Sequence, residues 1–397
     1  MEKHKFKMAR EFARKNPQML EEAYAQVMAL AKSARECYED DKEGTVAKFN
    51  EEEFTKMMFL DGCFVVQFIY CFKDNPDTSL GMKRNDAAWV KRDLFLLENQ
   101  LPFKVLEELM KLKLRFKNNK EPWGTKLGCF IENILGGPQQ NNSKEPQSQG
   151  QVTVNAHLLA YTRTKLIGHK NQRERCHLLK KIRNRLIEKF GKQENQPESG
   201  RGAGGAYRSS YRSAMELKMV GITFKPSESH QLISVKFNAS IFRNELCLPS
   251  MTIDDSTESL LLNMAAYEAC ADCPGDVFVT SYICFLDSLI DHAADVKLLR
   301  SEGILHNFLG SDEQIAILFN EIADNLVPNQ AIHAGIRQQI EKHYNSKIRN
   351  WLAEFWHTHF TSPWTILAFL GAILALVLTV IQTYVTMFPP GDTTTNK

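Results

Sequence analysis

The sequence lacks an excess of either charge, and it has few cysteines for its length. Its 49 lysines and arginines nearly balance its 47 aspartates and glutamates, which leaves a formal net charge of +2. Nucleic-acid-binding domains usually carry a basic excess, so this balance argues against nucleic acid as a partner. The nine cysteines are an odd number spread along a long chain. That distribution favours reduced thiols and argues against a secreted domain built on a dense disulfide framework.

The signature motifs of common enzyme classes are also missing. The sequence contains no GxSxG motif, no P-loop and no kinase signature. Cys270 and Cys273 have the CxxC spacing of a redox or zinc site, but a closed zinc site needs about four ligands and no second pair accompanies them. We interpret both as core or surface thiols, and the histidines form no ligand pattern either. We therefore predict no enzyme activity, no cofactor, and no catalytic, cofactor-binding or metal-binding residues.

Three aspartates keep an undetected enzyme open as an alternative. Asp287 and Asp291 are four residues apart, which would place both carboxylates on one face of a helix, and Asp295 extends the row by one turn. Such a row could bind a substrate or a cation. A solvated helix face explains the same spacing, and we favour that interpretation.

Long apolar runs are scarce, and the one near the C-terminus is therefore conspicuous. Residues 364–387, WTILAFLGAILALVLTVIQTYVTM, contain no charged side chain. A helix of about 24 residues is roughly 36 Å long, enough to cross about 30 Å of hydrocarbon with some tilt. We predict a transmembrane helix over residues 363–388 and a short polar tail over 389–397. A span of this length suits the plasma membrane or the endoplasmic reticulum equally.

The flanks of this run predict its orientation. Lys347 and Arg349 precede it, whereas the tail carries Lys397 alone. Because basic residues next to a span tend to stay in the cytoplasm, we predict a single-pass, tail-anchored protein with a cytosolic N-terminal domain. The opening string MEKHKFKMAREFARK is followed by no apolar run, so we predict no secretory signal peptide.

Residues 1–360 predict one mainly helical domain. Apolar residues recur at helical spacing over 2–40, with a break near Asn16-Pro17, and over 87–116, with a break at Gln100-Leu101-Pro102. The apolar run Met57–Phe72 is interrupted by polar residues, which favours a buried core helix over a second span. A further helix is predicted over 260–270, with a start signal at 254–258, and others over 278–290, 295–303, 312–326 and 331–356.

Residues 221–250 change the pattern, because β-branched and aromatic residues alternate there with polar ones. This alternation predicts a few short antiparallel strands. Two polar linkers are predicted at 136–151 and 191–206, and the GxGG string in the second follows no strand, which argues against a phosphate-binding loop. The predicted fold class is mainly α, an α+β domain with a minor antiparallel β element, plus one C-terminal transmembrane helix.

Two surface features remain open at this point. Between Arg163 and Lys189 the chain has ten basic residues against two glutamates, which fits either a surface for acidic lipid headgroups or one solvated helix face, the interpretation we favour. The N-glycosylation sequons at Asn141 and Asn238 matter only if the domain is lumenal.

Several long strings occur in an order that resembles a known plant family. They are DGCFVVQFIY, DLFLLENQLPFKVLEEL, AMELKMVGITFK, LCLPSMTIDDSTESLLLNMAAYEAC, VTSYICFLDSLIDHAADVKLLRSEGIL and LGSDEQIAILFNEIADNLV. With the C-terminal span, they resemble the family called domain of unknown function 247 over nearly the whole chain. Family members usually begin upstream of the string found here at Met1, so the resemblance implies a preceding first segment. It implies a plant membrane-associated protein and no established catalytic residues.

These observations lead to one leading hypothesis and two alternatives. The first is a non-enzymatic, membrane-anchored protein-interaction module whose protein partners are unidentified. Some grass relatives are implicated in self-incompatibility between pollen and stigma, so the resemblance also implies a recognition or signalling component with an exposed domain. The third hypothesis is the undetected enzyme that uses Asp287, Asp291 and Asp295.

Overall fold

The computed structural model describes most of the chain outside the polar linkers and the C-terminal tail. The described residues are 2–13, 16–38, 46, 48–72, 81–116, 123–135, 156–168, 212–240, 243–270, 273, 277–344 and 363–387. Within them the fold is mainly helical with a small mixed sheet, so the predicted fold class is right in its main part. Both predicted linkers, 136–151 and 191–206, lie outside the described residues.

The first half of the chain is helical. Its helices are α1 (Glu2–Phe12), α2 (Pro17–Arg35), α3 (Glu51–Cys71), α4 (Arg84–Asp93), α5 (Phe103–Phe116), α6 (Trp123–Ile134) and α7 (Leu158–Ile167). A short 3₁₀ turn at Leu97–Asn99 separates α4 from α5. The predicted breaks at Asn16-Pro17 and at Gln100-Leu101-Pro102 are therefore confirmed.

The second half combines helices with short strands. They follow in the order α8 (Ala214–Met219), β1 (Ile222–Pro226), β2 (Lys236–Ala239), β3 (Asn244–Leu248), β4 (Met251–Ile253), α9 (Thr257–Ala269), α10 (Phe278–Asp287), α11 (Ala293–Ser301), β5 (Leu305–Asn307), α12 (Asp312–Ala323), α13 (Gln330–Tyr344) and α14 (Pro363–Met387). One hydrophobic core runs continuously from the first helices to α12.

Helix α3 lies at the centre of the N-terminal half. Asn50 begins it with a capping box, because its side chain accepts from the Glu53 N–H while the Glu53 carboxylate accepts from the Asn50 N–H. Helices α1, α2, α5 and α6 pack against it. At Gly62 the neighbouring helix is so close that an added Cβ would lie 2.6 Å from Leu109 Cδ1. The α3 segment is long and apolar enough to cross a membrane, but it is mostly buried inside the domain, which confirms the predicted core helix.

The β element differs from the prediction in strand direction. The three-stranded sheet has the order β1-β3-β2, and β2 pairs antiparallel with β3 while β1 pairs parallel with it. The prediction of an antiparallel element was therefore wrong for β1. Alternation predicts where strands form, but direction depends on the path of the connections, which alternation does not encode. A second parallel pair, β4 with β5, joins segments about fifty residues apart and was not predicted for β5.

Candidate functional site

The predicted acidic row does not exist as a row in the folded chain. Helix α10 ends at Asp287 rather than continuing to Ile290, so Asp287 and Asp291 do not share a helix face. The chain turns because Leu289 and Ile290 enter the core, and the Leu289 carbonyl accepts a hydrogen bond from the Ala214 N–H. The prediction of three acids in register was wrong, since burial of two apolar residues ended the helix early.

Asp295 is a buried structural carboxylate in this region. Its side chain is 2% exposed. One carboxylate oxygen, Oδ1, accepts from the Met215 N–H at 2.8 Å, and Oδ2 accepts from the N–H groups of Asp291 and His292 at 3.2 and 3.1 Å. The carboxylate thus holds the start of α8 against the turn that begins α11. Its oxygens are already used by the backbone, which leaves this side chain little capacity to bind a substrate.

A buried ion pair joins α7, α9 and α10. Arg163 Nε donates to Glu268 Oε1 at 2.7 Å, and the two side chains are 9% and 0% exposed. The same carboxylate accepts from the N–H groups of Val279 and Thr280 and from the Thr280 hydroxyl at 3.0, 2.9 and 2.8 Å. These N–H groups belong to the first turn of α10, which has no intrahelical acceptor for them. Glu268 therefore caps one helix while it pairs with a charge from another.

The sequence carries a signal for this pair that the spacing analysis missed. Glu268 follows the buried residues Leu261, Met264 and Ala265 by seven, four and three positions, so it lies on the apolar face of α9. Arg163 lies in the same way on the buried side of α7. Arg163, the first residue of the basic stretch, therefore lies neither on a lipid-binding surface nor on a solvated helix face. Residues 169–189 of that stretch lie outside the described part of the chain.

Lys113 is a second buried charge that was missed. It is 2% exposed, and its ammonium donates to Gln67 Oε1 and to the Phe12 carbonyl at 3.4 Å. The same ammonium lies 4.5 Å from the centre of the Phe12 ring and 5.1 Å from that of Tyr70. It borders an open, mostly apolar cavity of about 300 Å³, solvent space included. Because carbonyl oxygens and aromatic faces surround the ammonium, we interpret Lys113 as a structural cation.

The two cysteines of the CxxC string differ in exposure. Cys270 is exposed and Cys273 is buried. Burial raises the pKa of the Cys63 and Cys284 thiols, which disfavours the thiolate that a nucleophile needs. Among the described residues no group of three or more His, Cys, Asp or Glu side chains is placed to hold a metal ion.

His157 has a structural role at the start of α7. Its Nδ1 accepts from the Ala160 N–H at 3.2 Å, and its ring lies edge-on to Tyr267. Burial lowers the pKa of His157 to about 4, so the ring stays neutral and keeps its acceptor at neutral pH. Four other histidines of the sequence, His169, His177, His357 and His359, lie outside the described residues.

A large open depression lies between the starts of α11 and α12. Its volume is about 980 Å³, solvent space included. Arg300 pairs with Asp312 through two hydrogen bonds of 3.0 Å along its wall. The hydrogen bond from Arg300 lowers the pKa of Asp312 below its usual value. Because Lys297 and Glu313 add one further charge of each sign, the depression favours no ligand of a single charge.

Helix α14 differs from all of these sites because its apolar side chains are exposed. Residues Leu367–Tyr384 have a mean hydropathy of 2.1, and none of this window is buried. The Thr379 and Thr383 hydroxyls donate to the carbonyls of Ala375 and Thr379, both at 2.8 Å. By length and composition α14 is a candidate membrane span, as is α3, but α3 is buried in the domain.

Comparison with known proteins identifies the family. The model of DUF247, described as a plant protein of unknown function, matches residues 1–378. The chain belongs to this family. The resemblance in the six quoted strings is therefore confirmed. Because the DUF247 match ends at residue 378, it includes the first part of α14.

Two plant relatives support the DUF247 assignment. UPF0481 protein At3g47200 of Arabidopsis thaliana is 26% identical over 341 residues, which is 83% of this chain and 67% of the relative. UPF0481 protein At3g02645 of the same plant is 28% identical over 177 residues, which is 44% of this chain and 33% of the relative. Neither name states an activity, and no solved structure matches the DUF247 chain.

Proposed function

We propose that this DUF247 protein is a single-pass, membrane-anchored protein-interaction module without catalytic activity. The observation that carries the proposal is α14, whose side chains from Leu367 to Tyr384 are exposed and mostly apolar. Each fully exposed Leu, Ile, Val or Phe forgoes about 1.5–3 kcal/mol of burial free energy in water. A lipid bilayer removes that cost over the whole length of the helix.

The polar groups of α14 are also compatible with a lipid bilayer. Backbone groups in hydrocarbon must be satisfied within the segment, and a helix does this. Thr379 and Thr383 use their hydroxyl hydrogens on carbonyls one turn earlier. Both side chains can therefore enter lipid without leaving a donor unpaired.

The structural roles of the buried charges support the proposal that the protein is not an enzyme. Asp295 and Glu268 accept backbone N–H groups, and Lys113 donates to carbonyl oxygens. These are structural roles that stabilise a helical body. We infer that the body presents a surface to protein partners and that α14 determines which membrane holds it.

Deletion of residues 363–387 is expected to move the protein from the membrane pellet to the supernatant. The reason is that the chain loses its long exposed apolar helix. The measurement is ultracentrifugation of plant-cell extracts, followed by an alkaline carbonate wash that removes peripheral proteins. A sharper variant is Leu374→Arg with Leu378→Arg, since each arginine at the centre of a span costs about 2.5–3.5 kcal/mol on an insertion scale.

The matched control is Leu374→Ile with Leu378→Ile, which keeps the hydropathy and should remain in the washed pellet. If the chain without α14 also remained there after the wash, α14 would not be the anchor and the proposal would be wrong.

Asn238 offers a direct test of orientation. It lies on β2, an edge strand of the three-stranded sheet, and its side chain is exposed. In the lumen the Asn238-Ala239-Ser240 sequon would be accessible to glycosylation. We expect no glycan, because the proposed domain is cytosolic. A glycosidase-sensitive mobility shift that disappears in Asn238→Gln would instead place the domain across the membrane and favour the recognition hypothesis.

A further inference from the structure

Two histidines of helix α13 are buried against the domain. Within Gln330–Tyr344 the buried residues are His333 and His343, each 5% exposed. The His333 ring stacks on Phe285 of α10, with ring centres 4.8 Å apart and planes at 26°. His343 Nε2 lies 2.8 Å from the Val220 carbonyl. The ring stack and this hydrogen bond lie near the two ends of the helix, and the partly buried Ile336, Ile340 and Tyr344 add apolar contacts with the core.

The surroundings of His333 suit a neutral ring. Its Nε2 is buried without a hydrogen-bond partner in the described part of the chain, and so is the Tyr282 hydroxyl. The two rings are 6.5 Å apart. Burial lowers the pKa of His333 to about 4 and raises the pKa of Tyr282. Both side chains are therefore uncharged at neutral pH.

The described part of the chain provides no hydrogen-bond acceptor that would stabilise a proton on His333 Nε2. Tyr282 faces the ring from α10, and Arg337 lies one turn further along α13 itself. Strand β2, which also packs on α13, carries Lys236 with its side chain exposed. The acidic residues on these elements are Asp287 at the end of α10 and Glu341 near the end of α13, and neither forms an ion pair with His333. A protonated His333 would thus be a buried cation next to an aromatic ring and a like charge.

We propose that α13 is an acid-sensitive latch, in which protonation of His333 releases α13 from α10. In the released state the imidazolium is hydrated, and the Phe285 face loses its cover.

The sign of the pH dependence follows from the two states. The docked ring has a pKa of about 4, whereas a released, hydrated ring has the ordinary value of about 6.5. Above pH 6.5 both states are neutral, so pH has no effect on docking. Between pH 6.5 and 4 the released state binds the proton and the docked state does not, so acidification favours release. From pH 7 to pH 5 the ratio of the released to the docked state should rise about 20-fold.

Hydrogen–deuterium exchange on the full chain in detergent micelles tests the latch. After correction for the intrinsic pH dependence of exchange, the protection of the α13 amides should fall about 20-fold between pH 7 and pH 5. Amides of α3 should change much less, since that helix is buried in the N-terminal half. His333→Phe keeps the stack on Phe285 and removes the titration, so its α13 protection should be independent of pH.

The matched control is His306→Gln, because His306 is an exposed histidine on β5. This variant should keep the wild-type response. If His333→Phe lacks native circular dichroism, His333→Gln replaces it, since that side chain is also neutral at both pH values. An unchanged α13 protection in the wild type between pH 7 and pH 5, or the same loss with and without His333, would overturn the proposal.

Discussion

Replacing Glu268 by alanine is expected to lower the free energy of unfolding by about 3–5 kcal/mol. The variant leaves the Arg163 guanidinium buried without its carboxylate, and it removes the acceptor of the Val279 and Thr280 N–H groups. Both consequences are costly because buried charges and donors cannot regain the hydrogen bonds that water provides in the unfolded chain. Urea denaturation of the full chain in a mild detergent, followed by circular dichroism, measures the change.

A double-mutant cycle separates the ion pair from the cap. Arg163→Met should also destabilise the protein, since it leaves the Glu268 charge buried without its cation. The double variant Arg163→Met with Glu268→Ala should cost less than the sum of the single changes, by about 1–3 kcal/mol. Additive costs would contradict a direct coupling between the two charges.

Replacing Asp295 by alanine is expected to cost about 3 kcal/mol, since it leaves the N–H groups of Met215, Asp291 and His292 without their acceptor. The effect should be visible as a lower urea midpoint. It should also increase hydrogen exchange at the start of α8, because the carboxylate connects that helix to the turn before α11.

The matched control for this variant is Asp291→Ala. The Asp291 side chain is exposed, so the change should stay within about 0.5 kcal/mol of the wild type. Equal effects of the two substitutions would contradict the structural role of Asp295.

The structural role of Asp295 also changes how the enzyme hypothesis is tested. Alanine at Asp287, Asp291 and Asp295 together would disrupt folding, so a lost phenotype would not indicate catalysis.

The acidic row illustrates where prediction from spacing fails. The i, i+4 spacing of Asp287 and Asp291 is a property of a continuous helix, and the chain keeps that helix only to Asp287. Leu289 and Ile290 are buried by contacts with other parts of the chain, and their burial is worth more than another helical turn. The sheet illustrates the same limit, since β1 and β3 were predicted as strands without their parallel direction.

The buried charges could have been found with a stricter use of the same periodicity. Lys113 follows Leu106, Leu109 and Met110 by seven, four and three positions, which places it on the buried face of α5. Glu268 has the same relation to the apolar face of α9. A charged residue at such a position predicts a buried charge that needs a partner. Its partner is a separate question, because Arg163 lies 105 residues away from Glu268 in the chain.

By itself the sequence determined the family, the mainly helical class, the core helix α3, the helix break at Pro102 and the long apolar segment of α14. The family follows from the quoted strings, and the other features depend on interactions within a few residues, such as capping, backbone restriction by proline and the period of apolar side chains. The tertiary structure alone decided the strand directions, the partner of Glu268, the role of Asp295 and the attachment of α13 through His333. Each of these depends on which distant groups meet where water is excluded. The local spacing of residues does not determine those contacts or their free energies.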